Sequence, residues 1–191
     1  MNKNRLLVFI VAYHAEETLE WVLDRIPKVV FENFQCEVLV VDDGSHDSTF
    51  EVGDGYRLKH PELPITVLKN QFNQGYGGNQ KIGYLYAIEQ GFDFVALIHG
   101  DGQYAPEELP RLLEPLADRE AEAVFGSRMM AGTDALRGGM PLYKFLGNRI
   151  LTFFENRLLG TQLSEFHSGY RIYSVETLKR VPFILNTDDF H

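Results

Sequence analysis

Cysteine is nearly absent from the sequence, and the one residue present, Cys36, can form no disulfide within the chain. A chain without disulfides fits a reducing compartment. Cys36 stands beside a valine-rich segment, where an unpaired cysteine behaves as a small apolar side chain. We therefore expect Cys36 to be buried in the core.

Long hydrophobic segments are also missing. The longest apolar run near the N-terminus, residues 6–12, falls well short of the ~20 residues that span a bilayer, and it lacks a secretory cleavage pattern. With 45% hydrophobic and 24% charged residues, the composition is that of a folded chain and not of a disordered one. A length of 191 residues predicts one domain over residues 1–191 with a substantial core.

Positive charge is scarce, since the chain has 18 Lys and Arg residues and 27 Asp and Glu residues, which gives a net charge of −9. This balance argues against broad nucleic-acid binding. Residues 126–160 depart from it, with five cations and two anions, a net +3. A basic region on an acidic chain indicates either an anionic ligand or membrane surface nearby, or a chance cluster on a solvated helix face.

The chain alternates between apolar runs and amphipathic segments. Strands are predicted at residues 6–11, 37–41, 65–68, 94–98 and 122–125. Helices are predicted at residues 16–26, from Asp47 or Ser48 to about residue 58, at 80–90 with Gly91 as its C-cap, and at 106–118. This alternation predicts an α/β fold with a doubly wound, mainly parallel sheet flanked by helices. The polar residues after each strand then gather along one sheet edge, where ligands bind in such folds.

The pattern changes after residue 128. Residues 131–139 contain several glycines, and we expect them to be mobile. A long helix with interspersed basic residues is predicted at 141–159, followed by a short strand at 170–173 and a helix at 175–181. The long helix is either a core helix or an amphipathic helix at a membrane surface.

Two polar loops at the predicted sheet edge are candidate ligand sites. Asp42 and Asp43 follow the second strand, where a carboxylate can accept hydrogen bonds from a nucleotide or simply complement the next helix dipole. The segment NQGYGGN, residues 73–79, would let the backbone approach a ligand around Asn73 and Gly75, with a helix N-terminus favouring an anion. It is not a dinucleotide fingerprint, because Gln80 stands at the last glycine position.

A third loop, HGDGQ at residues 99–103, follows the fourth strand. Asp101 and the amide oxygen of Gln103 could serve one divalent cation. His99 could add a nitrogen ligand, which would favour manganese over magnesium, although we favour a stacking or supporting role. The alternative for the whole loop is a polar turn that caps the helix starting near Pro106.

Taken together, these motifs resemble a known family. VDDGSHDST, NQGYGG, DGQYAP, GSR and FHSGYR, in that order and spacing, are similar to the inverting family 2 glycosyltransferases with a GT-A fold. Within the family the chain resembles the branch of dolichol-phosphate mannose synthases and polyprenyl-phosphate glycosyltransferases. The resemblance covers about residues 5–191. It implies a Rossmann-like GT-A domain that moves a sugar from a GDP- or UDP-linked donor to a polyprenyl (dolichyl or undecaprenyl) phosphate.

The resemblance also implies roles for individual residues and a divalent cofactor, Mg²⁺ or Mn²⁺. The implied nucleotide-sugar contacts are Tyr13, Asp42, Asp43, Asn73, Gly75 and Asp101. The implied metal ligands are Asp101 and Gln103, with His99 standing where the family has the first aspartate of Asp-x-Asp. The implied acceptor-phosphate contacts are Arg128, Lys144 and Asn148, and the catalytic assignment falls on Asp101 and Arg128.

Some positions depart from the family pattern. In the segment that resembles PxYNE, Val11 and His14 replace the proline and the asparagine. Lys144 and Asn148 stand where the mannose synthases have an arginine and a serine, so a cation and a hydrogen-bond donor are kept without bidentate geometry. The family's chains continue beyond a segment like residues 188–191, so the resemblance implies that the natural chain is longer.

The chemistry of the implied reaction explains the basic region. A polyprenyl phosphate oxygen is already anionic near neutral pH, so no general base is assigned. Residues 126–160 would receive the lipid head group, and the apolar helix beside them would contact the membrane. We therefore expect a peripheral protein at the cytoplasmic face of a membrane, with no nucleic-acid partner.

Two other functions remain open from the sequence. A sugar nucleotidyltransferase has a glycine-rich, basic loop after its first strand, and residues 12–15 contain neither glycine nor lysine. A catalytically weakened nucleotide-sugar-binding subunit would fit the replacement at His99. Loss of metal-dependent nucleotide binding would favour this last alternative.

Overall fold

A computed structural model describes residues 3–130 and 140–189 of the chain. The segment 131–139, for which the sequence predicts mobility, lies outside the described residues. The chain forms two compact units. One comprises Met1–Val124 with Arg171–His191, and the other comprises Phe125–Tyr170.

The strands form a six-stranded sheet, and four of them run parallel. Their bounds are Arg5–Ala12 (β1), Gln35–Asp42 (β2), Ile65–Lys69 (β3), Phe94–His99 (β4), Ala123–Gly126 (β5) and Tyr170–Ser174 (β6). The order across the sheet is β3-β2-β1-β4-β6-β5, and β6 is antiparallel to β4. The predicted α/β class and mainly parallel sheet are thus confirmed.

Helices follow most of the strands, as the alternating pattern predicts. Their bounds are Leu19–Asp24 (α1), Lys28–Asn33 (α2), Thr49–Lys59 (α3), Gly75–Glu89 (α4), Leu109–Ala117 (α5), Leu142–Leu159 (α6) and Val175–Arg180 (α7). Short 3₁₀ turns occur at Pro106–Glu108 and Phe183–Leu185. Ser48 is the N-cap residue of α3 but forms no side-chain cap hydrogen bond; the preceding Asp47 instead accepts the backbone N–H of Thr49, the first helical residue, through its Oδ1. Gly91 ends α4 with a positive φ of 71°.

Two helix predictions were wrong in their bounds. The helix predicted at residues 16–26 is only Leu19–Asp24, and Pro27 directly precedes the additional helix α2. Proline is compatible with a helix start because the first N–H groups lack intrahelical partners in any case. Helix α4 begins at Gly75, five residues before the predicted start at Gln80, so most of the expected glycine-rich loop is helical.

The core of the larger unit lies between the sheet and its helices. Alternate residues of β1, among them Leu7, Phe9 and Val11, pack in one cluster with Tyr84 of α4 and Leu178 of α7. Helix α4 approaches β1 so closely that a Cβ atom on Gly83 would lie 2.1 Å from the Phe9 ring. Cys36 is buried as expected, and burial raises the pKa of its thiol to about 12.

The smaller unit is organised around α6. Phe145 of α6 packs with Met129 and Met140. The nine other large apolar side chains of α6 are all exposed, namely Leu142, Tyr143, Leu146, Ile150, Leu151, Phe153, Phe154, Leu158 and Leu159. No helix in the described part of the chain has both the length and the apolar character needed to cross a membrane.

Candidate active site

The carboxyl ends of β1, β2 and β4 surround a cavity of about 200 Å³ in the larger unit. The strands are in register there, with Val11 opposite both Val41 and His99. The cavity is lined by Val11, Ala12, Tyr13, Asp43, Asn73, Tyr76, Asn79, His99 and Asp101. Side chains from loops far apart in sequence therefore meet at one edge, as the strand ends predict. Asp42, Gly75 and Gln103 are not among the lining residues.

Asp43 is the member of the acidic pair that lines the cavity. Its Oδ1 accepts hydrogen bonds from Asn70 Nδ2 at 2.7 Å and from the backbone N–H of Gln74 at 2.8 Å. Both donors come from the segment between β3 and α4. The carboxylate is almost completely buried yet borders the cavity, so its orientation is fixed before any ligand binds.

Asp42 instead holds the local backbone. It is fully buried, its Oδ1 accepts the backbone N–H of Ser45 at 3.0 Å, and its Oδ2 lies 3.5 Å from Lys69 Nζ. A buried carboxylate is retained when a cation and hydrogen bonds compensate its lost hydration. Asp43 thus faces the cavity, whereas Asp42 stabilises the local structure.

The loops after β1 and β2 hold one another in place. The backbone N–H of His14 donates to Ser45 Oγ at 2.9 Å, and that of Ala15 donates to Thr49 Oγ1 at 2.8 Å. His14 has a positive φ of 50°, and its ring lies 4.2 Å from that of Tyr13. Tyr13 is 49% exposed at the cavity wall, which leaves its ring available to a ligand.

The glycines of NQGYGGN serve a close approach between chain segments. A Cβ on Gly75 would lie 2.5 Å from the carbonyl oxygen of Asp188, and the backbone N–H of Gly78 donates to that same oxygen at 3.0 Å. Lys81, one turn further along α4, bonds the Asp188 carboxylate at 2.7 Å. The expected anion site at this helix N-terminus is therefore contacted by the chain's own residues.

His99 lies between two tyrosine rings. Its Nε2 shares a 2.8 Å hydrogen bond with the Tyr76 hydroxyl, and its ring lies 5.0 Å from that of Tyr76 and 5.1 Å from that of Tyr104. Burial raises the pKa of the Tyr76 hydroxyl to about 12, so this partner is neutral. These contacts are consistent with the stacking or supporting role expected for His99, because its Nε2 atom is already hydrogen-bonded to Tyr76.

Asp101 is exposed just beyond β4, and its Oδ1 accepts the backbone N–H of Gln103 at 3.0 Å. One such bond leaves most of a carboxylate's acceptor capacity for a cation. Among residues 3–130 and 140–189, no three His, Cys, Asp or Glu side chains are grouped so as to hold a metal. Mg²⁺ and related ions are commonly bound by one or two carboxylates plus substrate phosphates. The donor set therefore fits a cation that a diphosphate completes.

Within the smaller unit, two of the expected acceptor-phosphate residues share a partner. Glu165 is fully buried and accepts hydrogen bonds from the Arg128 backbone N–H at 2.9 Å, from Arg128 Nη2 at 3.1 Å and from Asn148 Nδ2 at 3.1 Å. Lys144 is exposed on the first turn of α6. Glu165 thus fixes two polar side chains, whereas Lys144 is exposed to solvent.

Known proteins resemble the chain in both sequence and fold. The sequence model of the family described as Glycosyl transferase family 2 matches residues 7–181. The chain belongs to this family. An undecaprenyl-phosphate mannosyltransferase from Micrococcus luteus is 33% identical over 177 residues, which make up 93% of this chain and 69% of that protein. A polyprenol monophosphomannose synthase from Mycolicibacterium smegmatis is 29% identical over 177 residues, 93% of this chain and 64% of that protein.

A solved structure confirms the GT-A fold of this family 2 chain. A mannosyltransferase from Pyrobaculum calidifontis in complex with GDP-Man and Mn²⁺ superposes with a TM-score of 0.64 at 20% identity. The match covers 99% of this chain but 50% of the other. The chain therefore spans about two thirds of the curated relatives and half of this structural neighbour.

Several residues that shape the site of this family 2 chain were missed by sequence reasoning. Glu165 follows a serine in a polar turn, and Asp188 lies near the end of the chain; neither stands in a recognisable motif. Trp21 lies on α1 and packs against Gly102 in the loop of Asp101, and Arg25, which directly follows α1, pairs with Glu107 beyond that loop. Each of these residues contacts, within its own unit, residues distant in sequence, so local sequence patterns do not reveal the contact.

Proposed function

We propose that this chain carries the catalytic region of an inverting, metal-dependent glycosyltransferase. Its donor would be a nucleoside-diphosphate sugar, GDP- or UDP-linked, and its acceptor a polyprenyl phosphate. The chain would act as a single GT-A domain. Family membership and the names of the two relatives, which act on undecaprenyl phosphate and polyprenol, support this class of reaction.

The observation that carries the proposal is the convergence of five expected residues on one cavity, namely Tyr13, Asp43, Asn73, His99 and Asp101. Their chemistry suits a nucleoside diphosphate. A fixed, buried carboxylate at Asp43 can accept from the base or ribose, and the exposed ring of Tyr13 offers a stacking surface. Asp42 and Gly75 would support the same pocket through the backbone.

Asp101 would hold the divalent cation together with the donor's phosphate oxygens, with Gln103 as a further candidate ligand. When bound, such an ion neutralises charge that develops on the departing nucleoside diphosphate. His99, engaged by Tyr76, would support the pocket wall. This division of roles leaves one protein carboxylate as the main anchor of the ion.

Transfer itself would be a single displacement. An anionic oxygen of the acceptor phosphate forms a bond to the anomeric carbon as the bond from that carbon to the donor's phosphate oxygen breaks. The electron pair leaves with the nucleoside diphosphate, and the configuration inverts. Because the attacking oxygen carries no proton near neutral pH, the reaction needs no general base.

The acceptor phosphate would be received by Arg128, Lys144 and Asn148. Guanidinium groups suit phosphate because of their planar, multidentate donors, and Arg128 would also stabilise charge in the transition state. Glu165 accepts bonds from Arg128 and Asn148, so it would keep both oriented between turnovers. Lys144 would add a mobile point charge.

The exposed apolar side chains of α6 support contact with a membrane surface, where a polyprenyl chain would be embedded. Lys144, Arg149 and Arg157 lie on the same helix. Basic residues beside apolar ones favour anionic bilayer surfaces. We therefore propose peripheral association through α6. The cytoplasmic face remains a prediction from the sequence.

The alternatives have weaker support. The two relatives are named as a transferase and a synthase that act on polyprenyl lipids, which does not favour a sugar nucleotidyltransferase. The fixed Asp43 and the exposed Asp101 argue against a weakened binding subunit. Asp43 can still accept hydrogen bonds from the nucleotide, and Asp101 can still bind the cation that the transfer would require.

A thermal-shift panel tests the proposal. GDP, UDP, GDP-mannose and UDP-sugars are each added with and without Mn²⁺ or Mg²⁺. A ligand at 100 times its Kd stabilises a fold by about 2.7 kcal/mol, so the correct nucleotide should raise Tm clearly, and by more with the cation than without it. Asp101→Asn should remove the metal-dependent part of the shift.

Formation of a lipid-linked sugar from the donor identified in this panel and undecaprenyl phosphate would complete the test. If no nucleoside diphosphate stabilises the protein in a metal-dependent way, the proposed function is wrong. If nucleotide binds and no acceptor phosphate is glycosylated, the binding-subunit alternative is correct.

A further inference from the structure

The loop that carries Asp101 is held from outside the cavity by three consecutive contacts. Thr18 Oγ1 donates to the carbonyl oxygen of Gly100 at 2.7 Å. Trp21 packs directly on Gly102. Arg25 forms a two-pronged ion pair with Glu107, through Nε at 2.5 Å and Nη2 at 2.7 Å. The segment is thus fixed before, beside and after Asp101.

The three holding residues belong to one side of α1. Thr18 immediately precedes the helix and Arg25 immediately follows it. Intervals of three and four residues place side chains on the same helical face. The Arg25 guanidinium also lies 3.9 Å over the Trp21 ring, so the two side chains support each other. We name Thr18, Trp21 and Arg25 the α1 clamp.

Gly102 shows how closely the clamp fits. Its φ is +73°, a conformation that L side chains rarely adopt, and a Cβ there would lie 2.5 Å from Trp21 Cζ3. The glycine therefore permits both the turn and the close approach of the indole. Trp21 is nonetheless 53% exposed, so core packing alone does not explain a tryptophan at this position.

We propose that the α1 clamp positions Asp101 and thereby sets the affinity of the protein for a divalent cation. This inference rests on the proposed function, since it concerns the same cation. An exposed carboxylate on a free loop would lose conformational entropy each time it bound a metal. The clamp removes much of that loss in advance, which is how outer residues tune metal ligands.

Titration of Mn²⁺ in the presence of saturating GDP or UDP, followed by calorimetry, tests the clamp. Trp21→Ala should raise the Mn²⁺ concentration at half-saturation about 10-fold to 100-fold, the usual effect of removing a residue that orients a metal ligand. Trp21→Phe keeps an aromatic ring against Gly102 and should restore most of the affinity. Nucleotide binding without a cation should be the same in all variants.

Arg180→Ala is the control variant for Arg25→Ala. Arg180 forms a more exposed ion pair with Glu122 than Arg25 forms with Glu107, so Arg180→Ala removes an arginine–glutamate pair away from Asp101. Only Arg25→Ala should weaken Mn²⁺ binding. Because Trp21 is the chain's single tryptophan, Mn²⁺ should also quench the fluorescence of the wild-type protein when nucleotide is bound, and quench it less after Arg25→Ala.

The contact between Gly102 and Trp21 offers a second test, which can still be carried out if Arg25→Ala folds poorly. Gly102→Ala forces a methyl group into the indole and should lower Mn²⁺ affinity. In a Trp21→Ala background the clash disappears, so the added effect of Gly102→Ala should be smaller. Such non-additivity is the signature of direct coupling.

The outcomes separate the clamp from the proposed function. Metal-dependent nucleotide binding that is unchanged by Trp21→Ala and Arg25→Ala would overturn the clamp alone. Equal losses with and without the cation would do the same, because a general structural defect explains them. A wild-type protein without any metal-dependent nucleotide binding would overturn the clamp and the proposed function together.

Discussion

Glu165 illustrates how much one buried carboxylate can organise. It accepts three hydrogen bonds, two from Arg128 and one from Asn148, with no exposure of its side chain. A buried charge is tolerated only when such partners compensate its dehydration. Arg128 and Asn148 in turn owe their orientation to Glu165, since each donates to it.

Replacement of Glu165 by Gln should therefore disturb both partners. An amide NH₂ group would face the donors of Arg128 and Asn148, leaving at least one of them unsatisfied at a cost of about 1–3 kcal/mol. The free energy of unfolding, measured with urea, should fall by this amount. Transfer to the lipid phosphate should fall as well, while GDP or UDP binding in the calorimeter should be unchanged.

Glu155→Gln is the control for that change. Glu155 lies on α6 and pairs with His167 at 3.0 Å, with 29% of the Glu155 side chain and 53% of the His167 side chain exposed, and solvent screening keeps partly exposed pairs weaker than buried ones. Its replacement should alter both measurements only slightly. If the two Gln variants behave alike, Glu165 has no special role in orienting Arg128.

At the level of single residues, motif positions could be predicted and their supporting partners could not. Asp43, Asn73 and Asp101 follow strands, and the rule that strand ends gather at one edge placed them correctly near each other. His14 shows what a motif alone leaves unexplained. Its φ of 50° lies in a region that asparagine and histidine enter more readily than most residues, which accounts for histidine at the family's asparagine position.

Among the elements, α4 is defined by its glycines. Gly83 faces β1, where a Cβ would lie 2.1 Å from the fully buried Phe9. Close packing of this kind cannot absorb a methyl group without moving a side chain or the backbone. Gly83 therefore allows α4 to pack this close to the sheet.

Gly83→Ala should destabilise the protein by about 1–3 kcal/mol, the usual cost of overpacking a core. Gly55→Ala in α3 makes the same chemical change where no atom lies within 4 Å of the new methyl group. It should leave stability unchanged or raise it by about 0.5–1 kcal/mol, because alanine favours helix. Urea unfolding of both variants measures the difference. Equal shifts would show that α4 packs less closely on β1.

Element bounds were predictable where periodicity or a cap marks them, as at the strands and at Gly91. They failed where a distant segment decides the structure. Gly75 lies against Asp188, 113 positions later in the chain, and that contact explains glycine where the local sequence indicates a loop. No local pattern contains such information, because it depends on the topology that joins α4 to residues 186–189.

On the scale of the whole molecule, charge and apolar exposure are distributed unevenly. The chain carries a net charge of −9, yet residues 126–160 carry a net +3. Within that range α6 exposes a series of large apolar side chains beside Lys144, Arg149 and Arg157. Apolar side chains exposed in such number mark interaction surfaces, and the basic residues favour an anionic partner.

The protein should therefore bind vesicles containing phosphatidylglycerol more tightly than vesicles of phosphatidylcholine alone, and added salt should weaken the binding because it screens the attraction. Leu158→Ser should reduce the partition coefficient at least about tenfold, since burying one leucine contributes about 1.5–3 kcal/mol and 1.4 kcal/mol is tenfold. Co-sedimentation with vesicles measures both effects.

Leu185→Ser is the matched control, because Leu185 is 83% exposed and Leu158 is 84% exposed, but Leu185 lies outside α6. Equal losses for the two leucine variants, or equal binding to both kinds of vesicle, would show that α6 does not direct the protein to anionic membranes.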